Sequence, residues 1–252
     1  MLELSGRFVQ GGFAIGRTAP RAEILVDGAP VGRASAGGYF VVGFDRDGPP
    51  SSVIVARTPA GEARRELAIG KGDFDIQRID GLPSDQVAPS DPALLARIKA
   101  EAARKARGFA SKADIDSFRT GFALPLAKYR LSGRFGGQRI LNGDPKRPHY
   151  GVDMAAPAGT PVTAPADGRV ALAAQGLHFE GGLVLIDHGQ GLISQYLHLS
   201  RVDVREGQMV SRGQRLGAVG KEGRATGPHL CWRLKWQGRN LDPMLLVGAR
   251  AP

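Results

Sequence analysis

GGLVLIDHGQGLISQYLHLS, residues 181–200, is the stretch on which the fold turns. GGLVLIDHG and GLISQYLHLS each read as a short strand, and glycines mark the turn between them. The same pattern continues on both sides, in GTPVTAPADGRVALAA (159–174) and in REGQMVSRGQRLGAVG (205–220). From residue 122 onward the expected architecture is antiparallel β-sheet.

The region before it divides in two. Residues 2–82 alternate apolar and polar residues in short runs: LELSGRFV, AEILV, GYFVVGF, SSVIVAR and RRELAI. Asp27-Gly28 and Pro59-Ala60-Gly61 are hairpin turn signals between these runs. A small β-sandwich satisfies the pattern, and ILVDGAPVGRASAGGYFVV faintly resembles the prealbumin-type sandwiches. A spacer or positioning role is the expectation for this part. Between residues 83 and 121 the character shifts to a Pro-, Ser- and Asp-rich linker, LPSDQVAPSDP, and then to helices. Asp91 is placed as an N-cap with Pro92 at the first helical position, and Leu94, Leu95, Ile98, Ala102, Ala106 and Phe109 form an apolar stripe. Ser111 with Asp114 resembles a capping box opening a shorter helix that Gly121 ends. The expected organisation is therefore 1–82, 83–121 and 122–252.

A chain of 252 residues with 42% hydrophobic content suits one large or two modest globular domains. Thirty-six glycines and seventeen prolines, against four tyrosines and two tryptophans, favour short strands and turns over a helical bundle. The formal net charge of +10 attracts polyanions in general. No nucleic-acid recognition motif is present, and the aromatics are not interleaved with basic residues as a stacking platform requires. The basic residues Arg97, Lys99, Arg104, Lys105, Arg107 and Lys112 read as a solvated helix face. A single cysteine excludes an intramolecular disulfide and leaves Cys231 available as a ligand. No run approaches the length of a transmembrane helix, so stable membrane insertion is not expected. The sequence carries no signal of oligomeric state.

Two motifs bring metal-binding residue types together. RPHYGVD (147–153) sets His149 four positions before Asp153, and GPHLCW (227–232) sets His229 two before Cys231. Side chains at i and i+2 of a strand share a face, so His229 and Cys231 point one way and Leu230 and Trp232 the other. A loop entering a strand brings His149 and Asp153 around one point. His, Asp and Cys supply the N, O and S donors that suit zinc. Each residue has a plainer reading: a histidine held by structural hydrogen bonds, a cysteine acting as a small hydrophobe, an aspartate capping a turn. Their joint occurrence weighs against those readings.

The order H-x-x-x-D, then YLHLS around His198, then TGPHL resembles the LytM/lysostaphin-type zinc endopeptidases of cell walls, over roughly residues 122–248. In that family the last motif reads H-x-H, and here its second histidine is replaced by Cys231. The resemblance implies a C-terminal catalytic domain of the LytM, or duplicated-hybrid-motif, type. It also implies zinc held by His149, Asp153 and Cys231, with His198 and His229 as catalytic histidines. Gln138, Arg139 and Asn142 are expected to contact substrate, His188 to be structural, and His178 has no assigned role. Peptidoglycan is the implied partner, with D-Ala to diaminopimelate cross-links favoured over glycine bridges. The implied location is periplasmic or extracellular, with a signal peptide removed and replaced by Met1. Thiolate in place of imidazole adds a negative charge, so zinc binding is expected to persist while hydrolysis is slower or shifted in pH. Two rival classes are a degenerate member that regulates another wall hydrolase, motivated by Cys231, and a carrier or phosphotransfer domain, motivated by PADGRV and REGQMVSRGQ. The latter lacks a lysine at a hairpin tip and leaves H-x-x-x-D unexplained.

Overall fold

The protein is described by a computed structural model covering residues 1–81 and 91–252. Most of the LPSDQVAPSDP linker falls outside the described residues. Strands β1 (Glu3–Arg7), β2 (Phe13–Arg17), β3 (Glu23–Val26), β4 (Ala29–Arg33), β5 (Tyr39–Gly43), β6 (Ser51–Thr58) and β7 (Gly61–Ala68) form two antiparallel sheets. Their orders are β1-β2-β5 and β4-β3-β6-β7. Asp27 and Gly28 connect β3 to β4 with φ of 52° and 81°, the left-handed pair that a two-residue hairpin turn requires. Two of these strands escape a search for alternation. FAIGR is buried on both faces from Phe13 to Gly16, which removes the polar half of the pattern. APVGR is an exposed edge strand, the position at which Pro30 is tolerated.

After β8 (Ile76–Ile79), the single described α-helix, α1, spans Pro92–Phe109. Asp91 caps it by accepting from Ala93 N and Leu94 N, with Pro92 following. The stripe read from sequence is displaced. Leu95 is 45% exposed, and Ala102 and Ala106 face solvent. The face that docks carries Leu94, Ile98, Glu101, Lys105 and Gly108, because polar contacts hold it. Arg104 Nη2 donates to Ala173 O at 3.0 Å, Glu101 Oε2 accepts from His178 N at 2.9 Å, and Lys105 pairs with Glu180. Arg97, whose Nη2 donates to Gly176 O, is thus, with Arg104 and Lys105, a docking residue rather than part of a purely solvated face. Gly108 rests against Leu185, where a Cβ would stand 2.9 Å from its side chain. The capping box is not formed either. Ser111 Oγ and Ala113 N both donate to Asp187 Oδ2, at 2.7 Å each, and Asp114 pairs with Arg21. Only a 3-10 turn, Ser117–Thr120, follows, and Gly121 ends it.

The remaining strands are β9 (Arg130–Gly133), β10 (Gln138–Leu141), β11 (Asp144–Pro145), β12 (Val152–Ala155), β13 (Pro161–Thr163), β14 (Gly168–Leu177), β15 (Gly181–Asp187), β16 (Leu192–Val202), β17 (Met209–Val210), β18 (Arg215–Val219), β19 (His229–Trp236) and β20 (Arg239–Leu241). The main sheet runs β17-β14-β15-β16-β19-β12-β9, antiparallel throughout, with β13, β18 and β20 paired off this path. The fold is mostly β, as the sequence indicates. One hydrophobic cluster runs from Phe13, Val42 and Ile54 through Tyr196, Leu230, Trp232 and Trp236. The N-terminal sheets and the large sheet therefore share a core. Gly43 makes the close approach possible, since a Cβ there would lie 2.8 Å from Leu241. Gln237 Nε2 and Arg239 Nη1 complete the join, donating to Val31 O at 2.8 Å and to Gly43 O at 2.9 Å.

Candidate metal centre and cleft

Antiparallel pairing places the site. Strands β12 and β19 are in register so that Asp153 stands opposite Cys231 and Ala155 opposite His229, while Leu197 of β16 pairs with Cys231 from the other side. Alternation along β19 sends Leu230, Trp232 and Leu234 into the main core and turns His229, Cys231 and Arg233 towards one cleft. His149 arrives from the loop before β12. Its backbone is clamped on both sides, with His149 N donating to Gly137 O and Gly136 N donating to His149 O.

The three candidate donors converge. His149 Nε2 lies 3.1 Å from Asp153 Oδ1 and 3.3 Å from Cys231 Sγ. All three ligand atoms fall within 4.8 Å of one another. Asp153 Oδ1 is buried without an aligned hydrogen bond, although a ring nitrogen is so near. Asp153 Oδ1 is thus left unsatisfied beside a ring nitrogen and a sulfur that contact each other, an orphaned acceptor among N, O and S donors that a divalent cation would draw together. The residues fit zinc. Neighbouring cations brace two of them: Arg139 Nη2 lies 3.3 Å from Asp153 Oδ2, and Arg233 Nε donates to Cys231 Sγ at 3.2 Å. Gly133 leaves room for the carboxylate, because a Cβ there would stand 2.7 Å from Asp153 Oδ2. Burial alone would raise the pKa of Asp153, but His149, His229 and Arg139 hold its carboxyl well below the usual range. Burial opposes charge on His149, yet Cys231 and Asp153 outweigh it and raise its pKa.

Two further imidazoles face the same cleft, their ring centroids 4.7 Å apart. His198 Nδ1 is 2.8 Å from Glu222 O, and His229 Nδ1 is 2.9 Å from Gly227 O. A carbonyl only accepts, so each Nδ1 carries the proton and each Nε2 is left as the basic nitrogen. The Nε2 of His229 lies 3.7 Å from Asp153 Oδ1. Burial lowers the pKa of both rings, so both are neutral near pH 7. His198 has φ of 66°, a left-handed conformation inside a strand, and its N–H bonds Glu180 O outside the regular ladder. Non-glycine residues hold such backbone only where the surroundings impose it, commonly at functional positions.

The cleft encloses about 470 Å³. Arg139 lines it, whereas Gln138 and Asn142 are not among its lining residues. Gln138 Nε2 donates to Lys146 O and Arg139 O, bracing the β10–β11 hairpin, and Asn142 with φ of 48° precedes Gly143 with φ of 86° in its turn. The Asn-Gly pair in LNG is itself a hairpin signal, which accounts for its place. His188 is structural: fully buried, it bonds Asp167 O and Ser194 Oγ at 2.7 Å each, and burial lowers its pKa to about 4. His178 packs edge-on against Phe179, its Nε2 buried without a hydrogen bond. Sequence reading passes over Arg233, Arg224, Arg130 and Glu180, all of which line the cleft. Arg233 was within reach, being two positions beyond Cys231 on the same face. The others come from loops or an exposed strand and carry no periodic signal.

Residues 147–243 match the model of peptidase family M23. The chain is 44% identical over 120 residues to the peptidoglycan DD-endopeptidase ShyA of Vibrio cholerae, a match covering 47% of this chain and 27% of that protein. It is 38% identical over 125 residues to the DD-carboxypeptidase/endopeptidase Mpg of Neisseria meningitidis, covering 49% of this chain and 29% of that one. The matched region thus spans less than a third of these curated relatives. A crystal structure of an M23 peptidase from Pseudomonas aeruginosa superposes with a TM-score of 0.73 at 32% identity, covering 96% of both chains.

Proposed function

The chain belongs to peptidase family M23, and from that membership we propose that it is a zinc-dependent endopeptidase hydrolysing the peptide cross-links of bacterial peptidoglycan. The observation that carries this reading is the meeting of His149, Asp153 and Cys231 at one point, beside two imidazoles whose Nδ1 atoms are tied back to carbonyls. The names of the relatives ShyA and Mpg favour D,D-linked cross-links over glycine bridges. A periplasmic or extracellular location follows from such a substrate. No described helix is long and apolar enough to cross a membrane.

His149, Asp153 and Cys231 would hold the metal, and zinc bound there supplies a Lewis acid that polarises the scissile carbonyl and acidifies a water. The protein's own residues do the rest. Arg139 fixes the carboxylate of Asp153 and Arg233 fixes the sulfur of Cys231, which orients both donors. His198 and His229 accept a proton at Nε2, donate from it to the oxyanion, and return it to the leaving amine. Neither ring has to change tautomer, because its Nδ1 proton stays on the backbone carbonyl.

In the proposed organisation, residues 122–252 are the peptidase unit, 83–121 link and brace it, and 1–82 act as an accessory unit that positions it at the wall. Lys105 supports the bracing role, since it pairs with Glu180 while α1 itself contributes no residue to the cleft. Cys231 favours a second reading, a member with weakened or no activity that regulates another wall hydrolase. Cross-linked sacculi of known chemistry distinguish the two. Zinc-loaded protein should convert muropeptide dimers to monomers in a chelator-sensitive way, read by mass spectrometry. Unchanged dimers across several wall types would favour the regulator.

A further inference from the structure

His198 is held at two points, and both lead to one pair of turns. Its backbone N–H donates to Glu180 O at 2.8 Å, and its Nδ1 donates to Glu222 O at 2.8 Å. Glu180 lies in the turn between β14 and β15, and Glu222 in the loop after β18. The two turns are packed without slack. Gly181 has φ of 63°, and a Cβ there would stand 2.3 Å from the Glu222 side chain and 2.5 Å from its carbonyl carbon. Arg224 N donates to Phe179 O at 2.9 Å across the same contact. A displacement of the 178–181 turn therefore moves both carbonyls that fix His198. With φ of 66° and a place in the irregular part of the β15–β16 register, His198 has no regular ladder to hold it instead.

The turn is held from behind by α1. Glu101 Oε2 accepts from His178 N at 2.9 Å, Arg97 Nη2 donates to Gly176 O, and Lys105 Nζ pairs with Glu180 Oε1. The Lys105 and Glu180 side chains are 19% and 15% exposed, so the pair is largely out of water, and removing its ammonium strands a buried charge. Glu180 Oε2 is itself buried without a hydrogen bond. Glu180 is among the residues that line the cleft and Lys105 is not, so Lys105 can act on the chemistry only through its partner.

We propose that Lys105 is a positioning residue: through Glu180 and the 178–181 turn it sets the place of His198 in the cleft, which makes α1 part of the catalytic apparatus and not only a brace. Misplacing a proton-transfer group slows the chemical step more than it weakens ground-state binding. The consequence for rate rests on the endopeptidase reading, whereas the placement of the ring does not.

Two variants of the full zinc-loaded chain test it. Lys105→Met keeps an unbranched stem and removes the charge, and Lys105→Met combined with Glu180→Gln avoids a stranded carboxylate. Zinc content and Tm are measured beside kcat and KM on a soluble muropeptide dimer, and histidine ring 15N signals are followed with His188 as internal reference. Lys105→Met should lower kcat about ten-fold with KM within about two-fold, zinc content unchanged. The His198 ring signals should shift while those of His188 stay in place. Lys105→Arg, which restores the charge, should return kcat to within about three-fold of wild type. The double variant should lose no more than Lys105→Met, because both break one coupled contact. Unmoved His198 signals in both Met variants, or wild-type kcat in both, would overturn the proposal. A wild-type protein that cleaves no dimer overturns the endopeptidase reading, and the His198 signals then decide the placement alone.

Discussion

Asp153 and Cys231 are direct cross-strand partners on β12 and β19, with His149 Nε2 3.1 Å from the carboxylate oxygen and 3.3 Å from the sulfur. Replacing one partner should show which atoms hold the metal. Cys231→Ala removes a donor and should lower zinc stoichiometry after dialysis, whereas Cys231→His should keep it and raise peptidase activity. Elemental analysis together with the sacculus assay checks both. Loss of zinc from Cys231→His would contradict the assignment.

Arg139 acts on the metal through Asp153. Removing its contact to Asp153 Oδ2, as in Arg139→Gln, should weaken zinc binding by about ten- to a hundred-fold, the usual cost of losing a group that orients a ligand. Competition with a chromogenic chelator reads this directly. Unchanged affinity would mean that Arg139 serves substrate alone.

His198 tests the proton-transfer role. Asn tolerates left-handed backbone, so His198→Asn should fold with φ near 66° kept while kcat falls by about a hundred-fold or more. The same argument fixes the pH profile. Burial lowers the pKa of both His198 and His229, so the basic Nε2 atoms remain available below pH 6.5, and the acid limb of kcat/KM should lie below that value. An acid limb well above it would exclude these two rings as the groups that titrate.

His188 contributes stability of opposite character, far from the chemistry. Its folded-state pKa of about 4 lies below the unfolded value of 6.5, so between these the unfolded chain binds more protons and stability rises with pH. The contribution, on the order of 3 kcal/mol, is present above pH 6.5 and is lost as pH falls towards 4. Thermal melts should show Tm falling across that window. The fall should be shallower in His188→Asn, which loses the titration even as it lowers Tm at neutral pH.

Much of this was legible in the sequence where periodicity and turn chemistry speak. GGLVLIDHG and GLISQYLHLS become β15 and β16, Asp27-Gly28 is the hairpin turn, and i, i+2 spacing turns His229 and Cys231 to one face. Three things were hidden. The docked face of α1 contains Glu101 and Lys105, which a search for apolar stripes discards, since only the sheet beneath supplies their partners. Ser111 and Asp114 had the spacing of a capping box, but the buried carboxylate of Asp187 captures Ser111 instead. Gln138 and Asn142 lie close to the first motif in sequence, yet they belong to a hairpin in which Gln138 bonds Lys146 O, and neither is among the residues that line the cleft.

Zinc K-edge absorption on the zinc-loaded protein tests the central claim most directly. One sulfur scatterer at about 2.3 Å, together with nitrogen and oxygen neighbours, is the expected shell, and the sulfur should vanish in Cys231→His. A shell of nitrogen and oxygen alone in the wild-type protein, or no tightly held zinc at all, would contradict a centre built from His149, Asp153 and Cys231.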